Sequence, residues 1–185
     1  MTIFTPSPDQ LKETLGHVYY EIVQLTETLQ DANSVSLNNA LVESRLIHVR
    51  ALLDFFQKKT RSKKKGKELD DVLSIDYGFA HQTVSIPLPY QERLNKDLAH
   101  LTYSRSQRLP KEKPWPYKQV VLPILLCCMN FSEHIISNFL TASYPNELVE
   151  WKALAVRLKS IIASMQDPLP KMADQHRGVS LEEMQ

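Results

Sequence analysis

The segment Arg93-Leu94-Asn95-Lys96-Asp97-Leu98-Ala99-His100 carries the residues of this chain best suited to chemistry. Side chains three, four and seven apart share one side of a helix, so Arg93, Asp97 and His100 fall on one polar stripe. Leu94, Leu98 and Leu101 form the opposite edge and seek a core. Arginine grips a phosphate through a planar fork of donors. Histidine titrates nearest neutrality and can move the proton of a ribose 2'-hydroxyl. Together they are the parts for cleaving RNA without a metal. The structural alternative is equally simple: Arg93 and Asp97 pair on a solvated face while His100 packs at its edge.

A second chemical feature is basic. Between Lys58 and Lys67 seven of ten residues are cationic and none is apolar, so the run is expected to be solvated. Sequence-independent affinity for RNA comes mainly from neutralising phosphates, which makes Lys63, Lys64 and Lys65 candidate binding residues. A solvated, disordered loop is the alternative reading. Farther on, Tyr103, Trp115 and Tyr117 lie near Arg105, Arg108, Lys111 and Lys113, a mixture that stacks bases or wedges a loop onto the protein.

Other chemistries find little support. The four glycines are too scattered to cradle a phosphate, so no nucleotide cofactor is expected. Cys127 and Cys128 are adjacent inside an apolar segment that raises thiol pKa values, which argues against covalent catalysis and against a disulfide framework. Asp97 with His100 is the one carboxylate-to-histidine pair at i, i+3 spacing on a predicted helix. Carboxylate metal sites need two such pairs plus further acids, so even with His48 as a third ligand no metal centre is expected. His48 lies on an apolar stripe and reads as a core histidine hydrogen-bonded to another helix. Arg50 and Asp54 read as a supporting pair one turn apart.

At 185 residues, 43% hydrophobic and 23% charged, the chain is sized for one domain with a substantial core. A net charge of +1 rules out a uniformly basic surface, so any nucleic-acid contact must be a local patch. The start Met1-Thr2-Ile3-Phe4 lacks a basic region before an apolar run, and the apolar segment from Val120 to Met129 is about half the ~20 residues of a membrane span. The expectation is a cytoplasmic protein with no membrane partner.

The positioning elements are helical. Ser7-Pro8-Asp9-Gln10 is a capping box, and Leu11, Leu15, Val18, Tyr19, Ile22, Leu25 and Leu29 continue an amphipathic helix to near Asp31. A second helix, from about Ser36 to Lys58, has two adjacent apolar stripes and should be central. Further helices are predicted from about Tyr90 to Arg105, from Tyr117 to Thr141 with Pro123 in its first turns, and from Pro145 to Asp167. A long loop precedes the third helix, with Thr83-Val84-Ser85-Ile86 as a short extended piece, and another follows it. The whole is an all-α, single-domain bundle of about five main helices with two long loops over 1–166, followed by a polar C-terminal tail over 167–185.

An arginine followed after four to six residues by a histidine, on a helix of an all-helical bundle of this length, resembles the HEPN (higher eukaryotes and prokaryotes nucleotide-binding) group. That resemblance implies a four- or five-helix fold, dimerisation that brings two motifs together and, in many members, metal-independent RNA cleavage. On it Arg93 contacts phosphate, His100 assists proton transfer, and Asn95 stands nearest the polar residue that accompanies the arginine. The family usually has that polar residue directly after the arginine, where this chain has Leu94. The expected function is RNA binding or cleavage, with RNA and a second copy of the chain as partners. The alternative is a noncatalytic interaction or scaffold bundle that homo-oligomerises.

Overall fold

The structure, a computed structural model, describes residues 4–96, 98, 109, 114–140 and 144–167. Helix α1 (Pro8–Glu27) opens on the capping box: the Ser7 hydroxyl accepts from the Gln10 amide and the Gln10 side chain accepts from the Ser7 amide. Leu15, Val18, Ile22 and Leu25 form its buried stripe. It ends at Glu27, short of Asp31, and Arg45 takes the Thr28 carbonyl there. Arg45 is 1% exposed, donates to that oxygen from Nε at 2.9 Å and from Nη2, and lies 4.4 Å above the Tyr117 ring. A guanidinium so placed satisfies an end carbonyl and complements the negative helix terminus.

Helix α2 (Val35–Gln57) is capped by Ser34 and buries Leu46, Val49, Leu52, Leu53, Phe55 and Phe56. His48 is a core histidine bonded across helices, its Nδ1 lying 2.7 Å from Glu21 of α1. Asp54 pairs with Lys58 at 3.1 Å, and the pairing expected with Arg50 is not formed. An acid N-terminal to its base is the favoured order on a helix, and Lys58 also reaches Asp71.

The connection that follows α2 is more ordered than a loop. It contains a hairpin of β1 (Lys63–Lys64) and β2 (Lys67–Glu68), then a 3-10 turn at Ser74–Tyr77 that closes on Gly78 at φ 72°. Val84 and Ile86 are buried while Thr83 and Ser85 face outward, an extended alternation without a strand partner. Helix α3 spans Leu88–Lys96 as described; its expected continuation to Arg105 lies outside the described residues. The helix expected over 117–141 is divided into α4 (Tyr117–Val120) and α5 (Leu122–His134), because Pro123 has no amide to continue the ladder. A π turn, Ile135–Phe139, closes it. Helix α6 covers Pro145–Gln166. The tail expected over 167–185 lies outside the described residues apart from Asp167. The protein is predominantly all-α, a single helical domain. No helix among the described residues is long and apolar enough to cross a membrane.

The core is organised by Phe131 of α5. Its ring meets Phe55, Phe56, Tyr77, Phe79 and Trp151 at steep interplanar angles. The Tyr77 hydroxyl donates to the Leu11 carbonyl and bonds Thr14, so the connection is tied to α1 as well. His134 completes the clamp: Nε2 donates to the Tyr77 carbonyl at 2.9 Å, and Nδ1 faces the Asn138 amide at 3.2 Å. Phe131→Ala should therefore cost about 3–5 kcal/mol, measured by urea denaturation.

Burial shapes the alkaline side of the stability curve. It raises the Tyr77 phenol to about 12, against an opposing Thr14 hydrogen bond and with a further push from Asp76, and it raises the Cys127 thiol to about 11. The unfolded chain then loses these protons first, near 10 and 9 respectively. Stability should be complete below the unfolded thiol value and fall as pH rises toward the folded phenol value. Thermal melts across that range should show the decline, and the Tyr77→Phe, Cys127→Ala double variant should lessen it, leaving the part due to the buried Cys128 thiol and the Tyr19 phenol.

Candidate functional site

Helix α3 positions the sequence-selected arginine. The turn begins on the Pro87 carbonyl, which accepts from the amides of Tyr90 and Gln91, while the Gln91 side chain donates to the Ile86 carbonyl at 2.7 Å. Leu94 is fully buried and sets the rotation of the helix, leaving Asn95 and Lys96 exposed. Arg93 is half-buried. Its guanidinium lies 3.9 Å over the Trp115 ring and 5.8 Å from that of Tyr90, and Nη1 reaches the Pro114 carbonyl at 3.5 Å. Stacking uses the face of the guanidinium, whereas its N–H groups radiate from the edge. Trp115 thus lies against the bundle beneath an arginine, within the extended 114–116 segment. Asp97 and His100 lie outside the described residues.

The lysine candidates stand on a built finger. The two-residue turn has Lys65 at φ 50° and Gly66 at φ 78°, the paired positive angles of a type I' hairpin turn. Lys63 faces Glu68 across the ladder and Lys64 faces Lys67. The base is fixed by Arg61, whose Nη2 lies 2.7 Å from both oxygens of Asp76 and whose Nε donates to the Asp71 carbonyl. Phe4 covers the guanidinium at 4.9 Å, and the Phe4 amide donates to Glu68. The expectation that the whole run is solvated is corrected here: the Arg61 and Asp76 side chains are 9% and 8% exposed. Several donors on one planar group let Arg61 meet the carboxylate through Nη2 and a backbone carbonyl through Nε at once, which suits it to burial, while the lysines of the run stay outside. Lys58 and Lys63 also have acidic neighbours, so Lys59, Lys64, Lys65 and Lys67 are the cations with no acidic partner among the described residues.

These two features are not brought together. The segment carrying Trp115 is attached to α2 where Tyr117 meets Arg45, and at 1.5 Å per residue that point is about 20 Å of helix from Lys58, where the finger departs. Arg93 reaches back to the Pro114 carbonyl, whereas Lys63 of the finger faces Glu68 at 4.0 Å. The described residues contain no cluster of three metal-ligating side chains. Cys128 is buried and Cys127 half-buried, with both thiols pushed up by burial, in keeping with inert sulfurs. The chain matches no protein-family model, no curated protein and no solved structure.

Two arginines with defined roles, Arg45 and Arg61, escaped the sequence reading. Arg61 was hidden within a lysine run, and its carboxylate is 15 residues away. Asp76→Ala leaves that guanidinium buried without its ion-pair partner, and should cost about 3 kcal/mol by calorimetric melting. Amide exchange in the hairpin should rise in parallel.

Proposed function

We propose that the protein binds RNA through its phosphate backbone, and that Arg93 and His100 form a metal-independent cleaving pair on the bound strand. The observation supporting it most strongly is the lysine finger. Lys64 lies directly opposite Lys67, an unfavourable pairing of like charges, and Lys65 occupies a left-handed backbone position better suited to asparagine or glycine. A run of cations held on a hairpin tip at this cost suits a polyanion that removes the repulsion. Asn95 and Lys96, exposed on α3 beside Arg93, extend the polar surface available to the strand. Dimerisation is part of the proposal, since it brings two Arg93 to His100 motifs together.

The second reading is a noncatalytic interaction bundle that homo-oligomerises. It is favoured by the Arg93 stack, which serves to pin Trp115 and needs no ligand. The two readings separate on one pair of measurements. Anisotropy of a labelled single-stranded RNA should show binding that weakens steeply with salt, and Lys64→Glu with Lys65→Glu should weaken it and reduce the salt slope by about 2. Incubation in EDTA should give cleavage that Arg93→Ala and His100→Ala both abolish. Binding without cleavage would leave an RNA-binding bundle; absence of both, with Arg93→Ala lowering only the melting temperature, would leave the scaffold reading.

A further inference from the structure

The outward side of α2 carries an apolar seam that the fold leaves uncovered. Leu37, Ala40, Ser44, Ile47 and Ala51 follow one another at steps of three and four, so they form one line roughly 21 Å long. Ser44 is half-buried and the others are exposed, Leu37 at 55% and Ile47 at 56%. Tyr20 of α1, 54% exposed, widens the patch, because its ring lies edge to face at 6.2 Å from that of His48, the neighbour of Ile47. Single exposed apolar side chains are ordinary, whereas three large ones on one continuous face mark an interaction surface.

The charges beside the seam identify its occupant. Glu43 and Arg50 lie along one edge, both exposed and neither in an ion pair among the described residues. Seven residues apart, at roughly 10 Å of helix, they are too distant to pair with each other. A second α2 laid antiparallel across the first, about a two-fold axis level with the turn between Ser44 and Ile47, sets Glu43 of each chain beside Arg50 of the other. The same axis sets Ile47 over Ser44 and Ala40 over Ala51, large against small at the centre and small against small beyond it, so the helices can approach closely. A parallel pair would instead place each charge level with its own copy, where like charges repel.

We propose that the exposed face of α2, bordered by Tyr20 of α1, is a two-fold dimer interface occupied by the antiparallel α2 of a second copy, with its direction fixed by crossed Glu43 to Arg50 ion pairs. This deepens the dimerisation in the RNA reading, resting on that reading for the pairing of chains and not for RNA affinity. In such a dimer the segment carrying Trp115, attached to α2 at Arg45, lies level with the axis in both chains. The lysine fingers leave from opposite ends, roughly 38 Å apart along the helix direction. One helix pair with a bordering ring covers less than a standard permanent interface, so association in the micromolar range is expected.

The test is sedimentation equilibrium of the full chain without RNA, through micromolar concentrations. Wild type should form a dimer and no larger species. Glu43→Arg and Arg50→Glu should each weaken it by about tenfold or more. Both substitutions in one chain should restore the dimer, and so should mixing the two single variants, since every charge then meets its opposite. Damage to the fold cannot produce that rescue. Ile47→Asp should leave a monomer whose circular dichroism is unchanged. Lys64→Glu with Lys65→Glu should leave the dimer intact, so failure of RNA binding and failure of this interface are distinguishable. A monomer at every concentration, a dimer indifferent to these substitutions, or single variants that neither the double variant nor the mixture rescues would overturn the proposal.

Discussion

The edge-to-face packing around Phe131 is the constraint through which the rest of the molecule is placed. Five rings from α2, the irregular connection and α6 meet it at 5.1–5.9 Å, each within the range where aromatic pairs gain about 0.5–1.5 kcal/mol beyond burial. Such contacts are directional, so they set the rotation of the helices as well as their distance. The placement then propagates along the chain. Tyr77 is held by Phe131 and by α1; its neighbour Asp76 receives Arg61; and Arg61 fixes the base of the lysine finger. The most exposed part of the protein therefore takes its position from the most buried.

Arginine and lysine are used for different purposes throughout. Arg45, Arg61 and Arg93 each lie over an aromatic ring, Tyr117, Phe4 and Trp115, and each donates to a backbone carbonyl. The planar guanidinium is more weakly hydrated than an ammonium and tolerates such burial. The lysines of the finger remain in water. Charge is thereby segregated in a chain of nearly zero net charge: a basic finger follows α2, and an acidic cleft lies between α1 and α6. Bulk composition conceals this because the two features cancel in the sum.

Several features were legible in the sequence. The Ser7 capping box, the burial of Leu94 and the raised thiols of Cys127 and Cys128 depend on residues within a few positions of one another. The pairing of His48 with another helix was legible as a type of contact, while its partner, Glu21, was not. The hairpin was obscured because its strands are two residues long, all of their residues are charged, and its turn begins with lysine. The α4 to α5 break followed from Pro123, whose effect one turn into a helix depends on the packing around it.

What the sequence by itself determined was the helical class, the caps and the apolar stripes, because these arise from i, i+3 and i+4 relations that survive in any compact arrangement. What only the tertiary structure decided was which charge meets which. Arg61 with Asp76, Arg93 over Trp115, and Glu13 across a cleft from Glu150 join residues separated by 15, by about 20 and by more than 100 positions along the chain. No local propensity encodes such meetings. They follow from how the helices are rotated against the common aromatic core, and that rotation is a property of the packed molecule.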